Sequence, residues 1–118
     1  MHTRALVVQS RADVAAGVTA ALAENDIEAI VVPDGHDAVT EVDTWAPDVV
    51  LIDLTLPPLD GWQVLAALGA LPEPPLLVVR LGTASEIVRA IALGADAWVD
   101  DDVHVVAAAG RLALTNAA

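Results

Sequence analysis

Residues 47–61 constrain this chain more than any other stretch: Pro47-Asp48-Val49-Val50-Leu51-Ile52-Asp53-Leu54-Thr55-Leu56-Pro57-Pro58-Leu59-Asp60-Gly61. The apolar run Val49-Val50-Leu51-Ile52, mostly β-branched, makes a strand with no face fit for water. Such a strand belongs at the centre of a sheet covered on both sides. It ends in a carboxylate, Asp53, followed by a Pro-Pro turn, an Asp-Gly pair and a helical pattern from Trp62. In open α/β sheets, ligands bind just past the carboxyl ends of the strands. Asp53 is therefore a candidate functional residue, although an aspartate there can also simply hydrogen-bond its own loop.

The remaining chain alternates in the same way. Ala5-Leu6-Val7-Val8 reads as a first strand, and Ser10-Arg11-Ala12-Asp13 has the form of a capping box for a helix facing inward through Val14, Val18, Ala21 and Leu22. Asn25 and Asp26 end that helix. Ala29 to Val32 is a second strand, and Asp34 is the N-cap of a helix with Ala38, Val39, Val42 and Trp45 inward. Asp60 with Gln63 looks like another capping box, opening a helix that buries Val64, Leu65, Leu68 and Leu71. Leu76 to Val79 is a fourth strand. Thr83 to Glu86 caps a fourth helix burying Ile87, Ala90 and Ile91, and Gly94 is its left-handed stop. Ala97-Trp98-Val99 is a fifth strand. A fifth helix is expected from about Val103 to Leu114, with Asp102 as its N-cap. Strands and amphipathic helices in strict alternation imply an α/β fold with a parallel sheet. The 118 residues suit a single domain, 1–118.

Charge and composition exclude several classes. Seventeen acidic residues stand against five arginines and no lysine, a net charge of −12. Nucleic-acid binding through this domain is not expected, because phosphate contacts need cations. With no cysteine there are no disulfides, thiolate metal sites or thiol catalysis. No apolar run reaches the ~18 residues of a membrane span, and Met1-His2-Thr3-Arg4 does not read as a signal peptide. A cytoplasmic protein with no membrane contact is the expectation. His2, His36 and His104 have no metal-ligand spacing, and no Gly-rich phosphate loop follows the first strand.

The stretch 47–61 resembles the third strand and loop of the response-regulator receiver (CheY-like) family: Pro-Asp, four apolar residues, Asp, Leu, then Pro and Asp-Gly. Gly94-Ala95-Asp96-Ala97-Trp98 resembles the family's fifth-strand frame. The resemblance covers essentially the whole chain and implies a flavodoxin-like five-stranded sheet of order 2-1-3-4-5. It also places the family's phosphoacceptor at Asp53. The other family positions are altered. The acidic pair that holds magnesium is replaced by Gln9 and Ser10, with Ser10 also readable as a helix cap. The hydroxyl switch is replaced by Arg80, and the lysine by Asp101; Trp98 keeps the aromatic character of the switch partner.

Magnesium is bound by carboxylates, phosphate and water, so Gln9 and Ser10 form a poor cage and no cofactor is expected. Two unit charges ~4 Å apart at an effective dielectric of about 20 interact by about 4 kcal/mol. A phosphoryl group near Asp101, without magnesium or lysine, is disfavoured on that scale. Arg80 is expected to reach over the strand ends to pair with Asp53, Asp101 or both. The resulting expectation is a non-enzymatic, degenerate receiver in two-component-type signalling. It would act by protein contact through the fourth helix, fifth strand and fifth helix, on a second copy, a histidine kinase or another regulator. The alternatives are a phosphorylatable receiver using Asp53 in a phosphorelay, and a small-molecule or enzyme domain on the same fold.

Overall fold

The computed structural model describes residues 3–55 and 61–100. Within them the chain runs β1 (Thr3–Val8), α1 (Ala12–Glu24), β2 (Ile27–Val32), α2 (Gly35–Trp45), β3 (Val49–Asp53), α3 (Gly61–Gly69), β4 (Leu76–Arg80), a 3-10 turn (Ala84–Glu86), α4 (Ile87–Ala92) and β5 (Ala97–Val99). The strands form one parallel sheet of order β2-β1-β3-β4-β5. This is the flavodoxin-like order. All five residues of β3 are buried, as its unbroken apolar run requires. The expected fifth helix, with Asp101, Asp102 and the cap residue Asp60, lies outside the described residues.

Alternation along the strands sorts the core into two layers. Leu6, Val8, Val50, Ile52, Leu77 and Val79 point to the side covered by α2, α3 and α4. Ala5, Val7, Val49, Leu51, Val78 and Val99 point to the side where Val18 and Leu22 of α1 pack. The connections obey local turn chemistry. Asp34 Oδ1 accepts the Asp37 N–H at 3.0 Å, as an N-cap should. Ala46 closes α2 in the left-handed region, and Gly94 has φ +115° at the end of α4.

Four local expectations are corrected. Ser10 does not cap α1; Arg11 occupies the N-cap position, with no side-chain cap bond. The Arg11 N–H instead goes to Gln9 Oε1 at 3.1 Å, and its guanidinium pairs with Asp13. Val39 does not point fully inward; it lines a groove of about 390 Å³ between α2 and α3. Ile91 is not buried: it is 55% exposed. Helix α4 is only six residues long and presents Ala90 and Ile87 to the sheet. At about 100° per residue, Ile91 falls about 70° from the middle of that stripe. The Thr83–Glu86 pairing forms, with Glu86 Oε1 accepting the Thr83 N–H at 3.1 Å, but it opens the 3-10 turn rather than α4 itself.

The end of α3 packs against the end of α4 through bare backbone. A Cβ added to Gly69 would collide with the Leu93 carbonyl oxygen and press on Gly94 Cα. Gly17 on α1, by contrast, has open space around it. Gly69→Ala should therefore lower stability by about 1–3 kcal/mol in urea unfolding. Gly17→Ala should raise it by about 0.5–1 kcal/mol.

Candidate functional site

The register of the sheet decides which side chains meet at its carboxyl end. Val8 pairs with Ile52, so Gln9 falls opposite Asp53; Asp53 pairs with Arg80, and Arg80 with Val99. In a parallel sheet, residues in one such row point to the same face. Gln9, Asp53 and Arg80 thus form a row across β1, β3 and β4, on the face that α1 covers. Backbone bonds continue the row: Gln9 donates its N–H to Val32 O at 3.1 Å, Leu54 to Arg80 O at 3.0 Å, and Leu81 to Val99 O at 2.9 Å.

Asp53 is 4% exposed, and both of its carboxylate oxygens are engaged. Oδ1 accepts the Thr55 N–H at 2.8 Å and the Thr55 hydroxyl at 2.6 Å. The residue-plus-two pattern is an Asx-type turn, which aspartate readily makes with its own loop. Oδ2 accepts from Gln9 Nε2 at 2.9 Å and from Arg80 Nη1 at 3.2 Å. The Arg80–Asp53 ion pair is buried at the carboxylate and about a quarter exposed at the guanidinium. Beside the row is a small, half-open pocket of about 20 Å³, lined by the row itself and by Val7, Val18 and Leu51. That is room for about one water molecule.

Burial pushes the Asp53 carboxyl up. The Thr55 hydroxyl, the Gln9 amide, the Thr55 N–H and the Arg80 charge together outweigh it and hold the group below the ordinary aspartate value. The carboxyl is therefore ionised through the neutral range, and the four donors are matched to a carboxylate.

The positions of the site candidates now separate. Gln9, Asp53 and Arg80 are brought together. Ser10 is exposed on the way into α1. Trp98 lies one residue out of the row, paired with Val79, so its side chain belongs to the opposite face of the sheet, where it is 46% exposed. The expected arginine–aspartate pair forms with Asp53; Asp101 lies outside the described residues. Two partners were missed from sequence, Gln9 as a direct donor to Asp53 and Thr55. The strand register would have pointed to Gln9, and the Asx-turn spacing to Thr55.

The model of the response regulator receiver domain matches residues 5–111. The chain belongs to the response-regulator receiver family. Among curated proteins it is similar to the DNA-binding response regulator MtrA of Mycobacterium tuberculosis, 33% identical over 100 residues, or 84% of this chain and 44% of that protein. It is also similar to the sensory transduction protein RegX3 of the same species, 35% identical over 99 residues, 82% of this chain and 43% of that protein. The chain thus spans less than half the length of these relatives. Among solved structures, the BeF3-activated N-terminal receiver domain of Klebsiella pneumoniae RstA superposes with a TM-score of 0.78 at 26% identity, covering 95% of this chain and 98% of that one. The receiver domain of the Francisella response regulator 1452 shares the fold with a TM-score of 0.82 at 22% identity, covering 98% of this receiver and 99% of that one.

The family's magnesium ion does not fit this donor set. A hard divalent cation takes oxygen ligands. Here Gln9 Nε2 and Arg80 Nη1 stand on Oδ2, the first turned in because Gln9 Oε1 accepts the Arg11 N–H. Among the described residues, no group of three or more His, Cys, Asp or Glu side chains is placed to hold a metal.

Two outcomes follow for the isolated domain. Gln9→Ala removes one donor from a buried carboxylate and should cost about 1–3 kcal/mol in chemical denaturation. The lowered pKa of Asp53 makes its ionised form a stabilising one, fully effective above the unfolded-state value and lost as pH falls through the folded value. The stability advantage of the native protein over Asp53→Asn should therefore be constant at neutral pH. It should shrink only below the ordinary aspartate range, as read by urea titrations across pH.

Proposed function

We propose that this receiver signals by protein contact through the α4–β5 face, and that Asp53 is held in a standing ion pair rather than used as a magnesium-dependent phosphoacceptor. The observation that carries this reading is the saturation of Asp53. Its two oxygens already take four hydrogen bonds from the chain's own groups, one of them from a guanidinium. Phosphoryl transfer gains little covalent help from protein and depends on positioning and charge neutralisation. Here the nucleophilic oxygens are tied down, and the groups that would gather a magnesium ion are an amide and an alcohol. The domain is read as non-enzymatic, cytoplasmic and without a cofactor.

The contact surface is supported by where apolar side chains lie in the open. Val88 is 78% exposed, and Ile91 and Trp98 are roughly half exposed, on α4 and β5. Val88 and Ile91 are one helical turn apart, on the same side of α4. The Arg89 guanidinium sits 4.2 Å from the centroid of Trp62 at the start of α3, which braces α4 against the helix following the β3 loop. The fifth helix, expected to complete this face, lies outside the described residues. The partner is a protein: a histidine kinase, another regulator or a second copy. One of the curated relatives is named a DNA-binding response regulator and the other a sensory transduction protein, yet a domain of charge −12 is not itself the part that meets DNA.

A second reading keeps Asp53 as the phosphoacceptor of a phosphorelay, with Arg80 supplying the positive charge. It is favoured by the position of Asp53 at the end of β3, where the chain leaves the sheet. The two readings separate on stoichiometry. Incubated with a small-molecule phosphodonor and magnesium, the purified domain should carry no more than a trace of acid-stable, hydroxylamine-labile phosphate. Stoichiometric labelling that Asp53→Asn abolishes would establish the phosphorelay reading instead. Once a partner is in hand, Val88→Asp should weaken its binding at least about tenfold, as for a central apolar contact, while Asp53→Asn should leave it within about twofold.

A further inference from the structure

We propose that the carboxyl end of the sheet is an oxyanion cradle, a site whose polarity is reversed from that of a metal centre. Four donors converge on one carboxylate: Gln9 Nε2 and Arg80 Nη1 on Oδ2, and the Thr55 N–H and hydroxyl on Oδ1. Each presents hydrogen toward the carboxylate. The class of ligand that satisfies such a set is a small carboxylate, and the chain supplies that ligand itself as Asp53.

The orientation of Gln9 is what makes the cradle selective. A glutamine can offer either its oxygen or its nitrogen. Here Oε1 accepts the Arg11 N–H at 3.1 Å, so Nε2 faces Asp53. Turning the amide to offer oxygen to a cation would set its NH2 against the Arg11 N–H. Arg80 adds a fixed positive charge on the same oxygen, because its register partner on β3 is Asp53 itself. Thr55 donates from the other side, through both its backbone and its hydroxyl. The donors come from the end of β1, from β4 and from the loop after β3. Gln9 is held by Val32 O and the Arg11 N–H, and the Arg80 backbone by the ladder to β3, independently of the carboxylate they bind. Removing that carboxylate should leave Gln9 Nε2 and the Arg80 charge in place and in need of an anion.

This inference stands on the geometry of the row and not on what the α4–β5 face binds. The test uses Asp53→Ala, which empties the cradle without adding bulk. Sodium formate or acetate should raise the melting temperature of Asp53→Ala saturably, by several degrees at millimolar concentration. Chloride at equal ionic strength should not, and the native domain should not respond. The effect should fall away in Gln9→Ala/Asp53→Ala. A second arm reverses the polarity. Gln9→Glu/Arg80→Thr removes both nitrogen donors from Oδ2 and adds a carboxylate, and it should gain saturable Mn²⁺ binding, read by paramagnetic broadening and tryptophan fluorescence. The native domain should show none. No stabilisation of a folded Asp53→Ala by formate or acetate would overturn the cradle, and so would saturable Mn²⁺ binding by the native domain. Loss of the formate effect alone would leave the protein-contact reading intact, since that reading needs only that Asp53 is not phosphorylated.

Discussion

The pairing of Asp53 with Arg80 across neighbouring strand ends is the interaction on which the character of this receiver depends. It is not a chance contact between long surface side chains. The two residues are register partners, so the hydrogen-bond ladder that holds β3 to β4 also sets their separation. Exposed salt bridges contribute little, because two flexible chains must be ordered in water. Here the carboxylate is ordered by burial and by Thr55, and the arginine backbone by the ladder, so the entropy lost on pairing is confined to the arginine side chain. A lysine would offer a point charge at this position; a guanidinium offers a planar fork that can serve one oxygen while keeping other donors for its surroundings.

The physics also explains what could be read from the sequence. The buried run at 49–52 and the alternation of strands with helices were enough for an α/β fold, because a strand without a polar face admits few settings. The strand order came from the resemblance, since periodicity says nothing about which strands are neighbours. Charge reversal against the family pattern leads to a pairing of Arg80 with Asp53, Asp101 or both, and the pair with Asp53 forms. Gln9 departs from the family's acidic pair, and only the strand register, which a motif does not carry, makes it a donor to Asp53. Ser10 fits a capping box in one dimension, yet the carbonyl of Gln9's side chain takes the Arg11 N–H, and helix α1 begins one residue later than that box requires. Ile91 matched the apolar spacing of a helix, but a helix of six residues has room for only a narrow buried stripe.

The site and the exposed apolar face are mechanically close without sharing side chains. Asp53 and Arg80 point to the side of the sheet that α1 covers, while Trp98 belongs to the other side with α4. Communication between them would have to pass through the strands or through the β3–α3 connection. Gly61, at the far end of that connection, packs so tightly that an added Cβ would approach Leu54 Cδ2 to 2.7 Å and Asp53 O to 3.3 Å. One residue on, Trp62 lies under the Arg89 guanidinium of α4. A movement of Asp53 would therefore be felt at Gly61 before it reached α4.

In the unmodified domain the balance of energies keeps Asp53 ionised and bonded. Hydrogen bonds to a charged group contribute about 1.5–3 kcal/mol each, and withdrawing a carboxylate from water costs several kcal/mol. With four donors in place the gains are of the same order as the cost, so the row is not a large source of stability. Its effect is on the choice of state. Modifying Asp53 would break bonds from two strands and a loop at once, with the neutralising charge already committed, whereas leaving it ionised costs nothing further. On the protein-contact reading proposed above, such a receiver reaches its working conformation by folding, and regulation falls to the supply of the domain and of its protein partner.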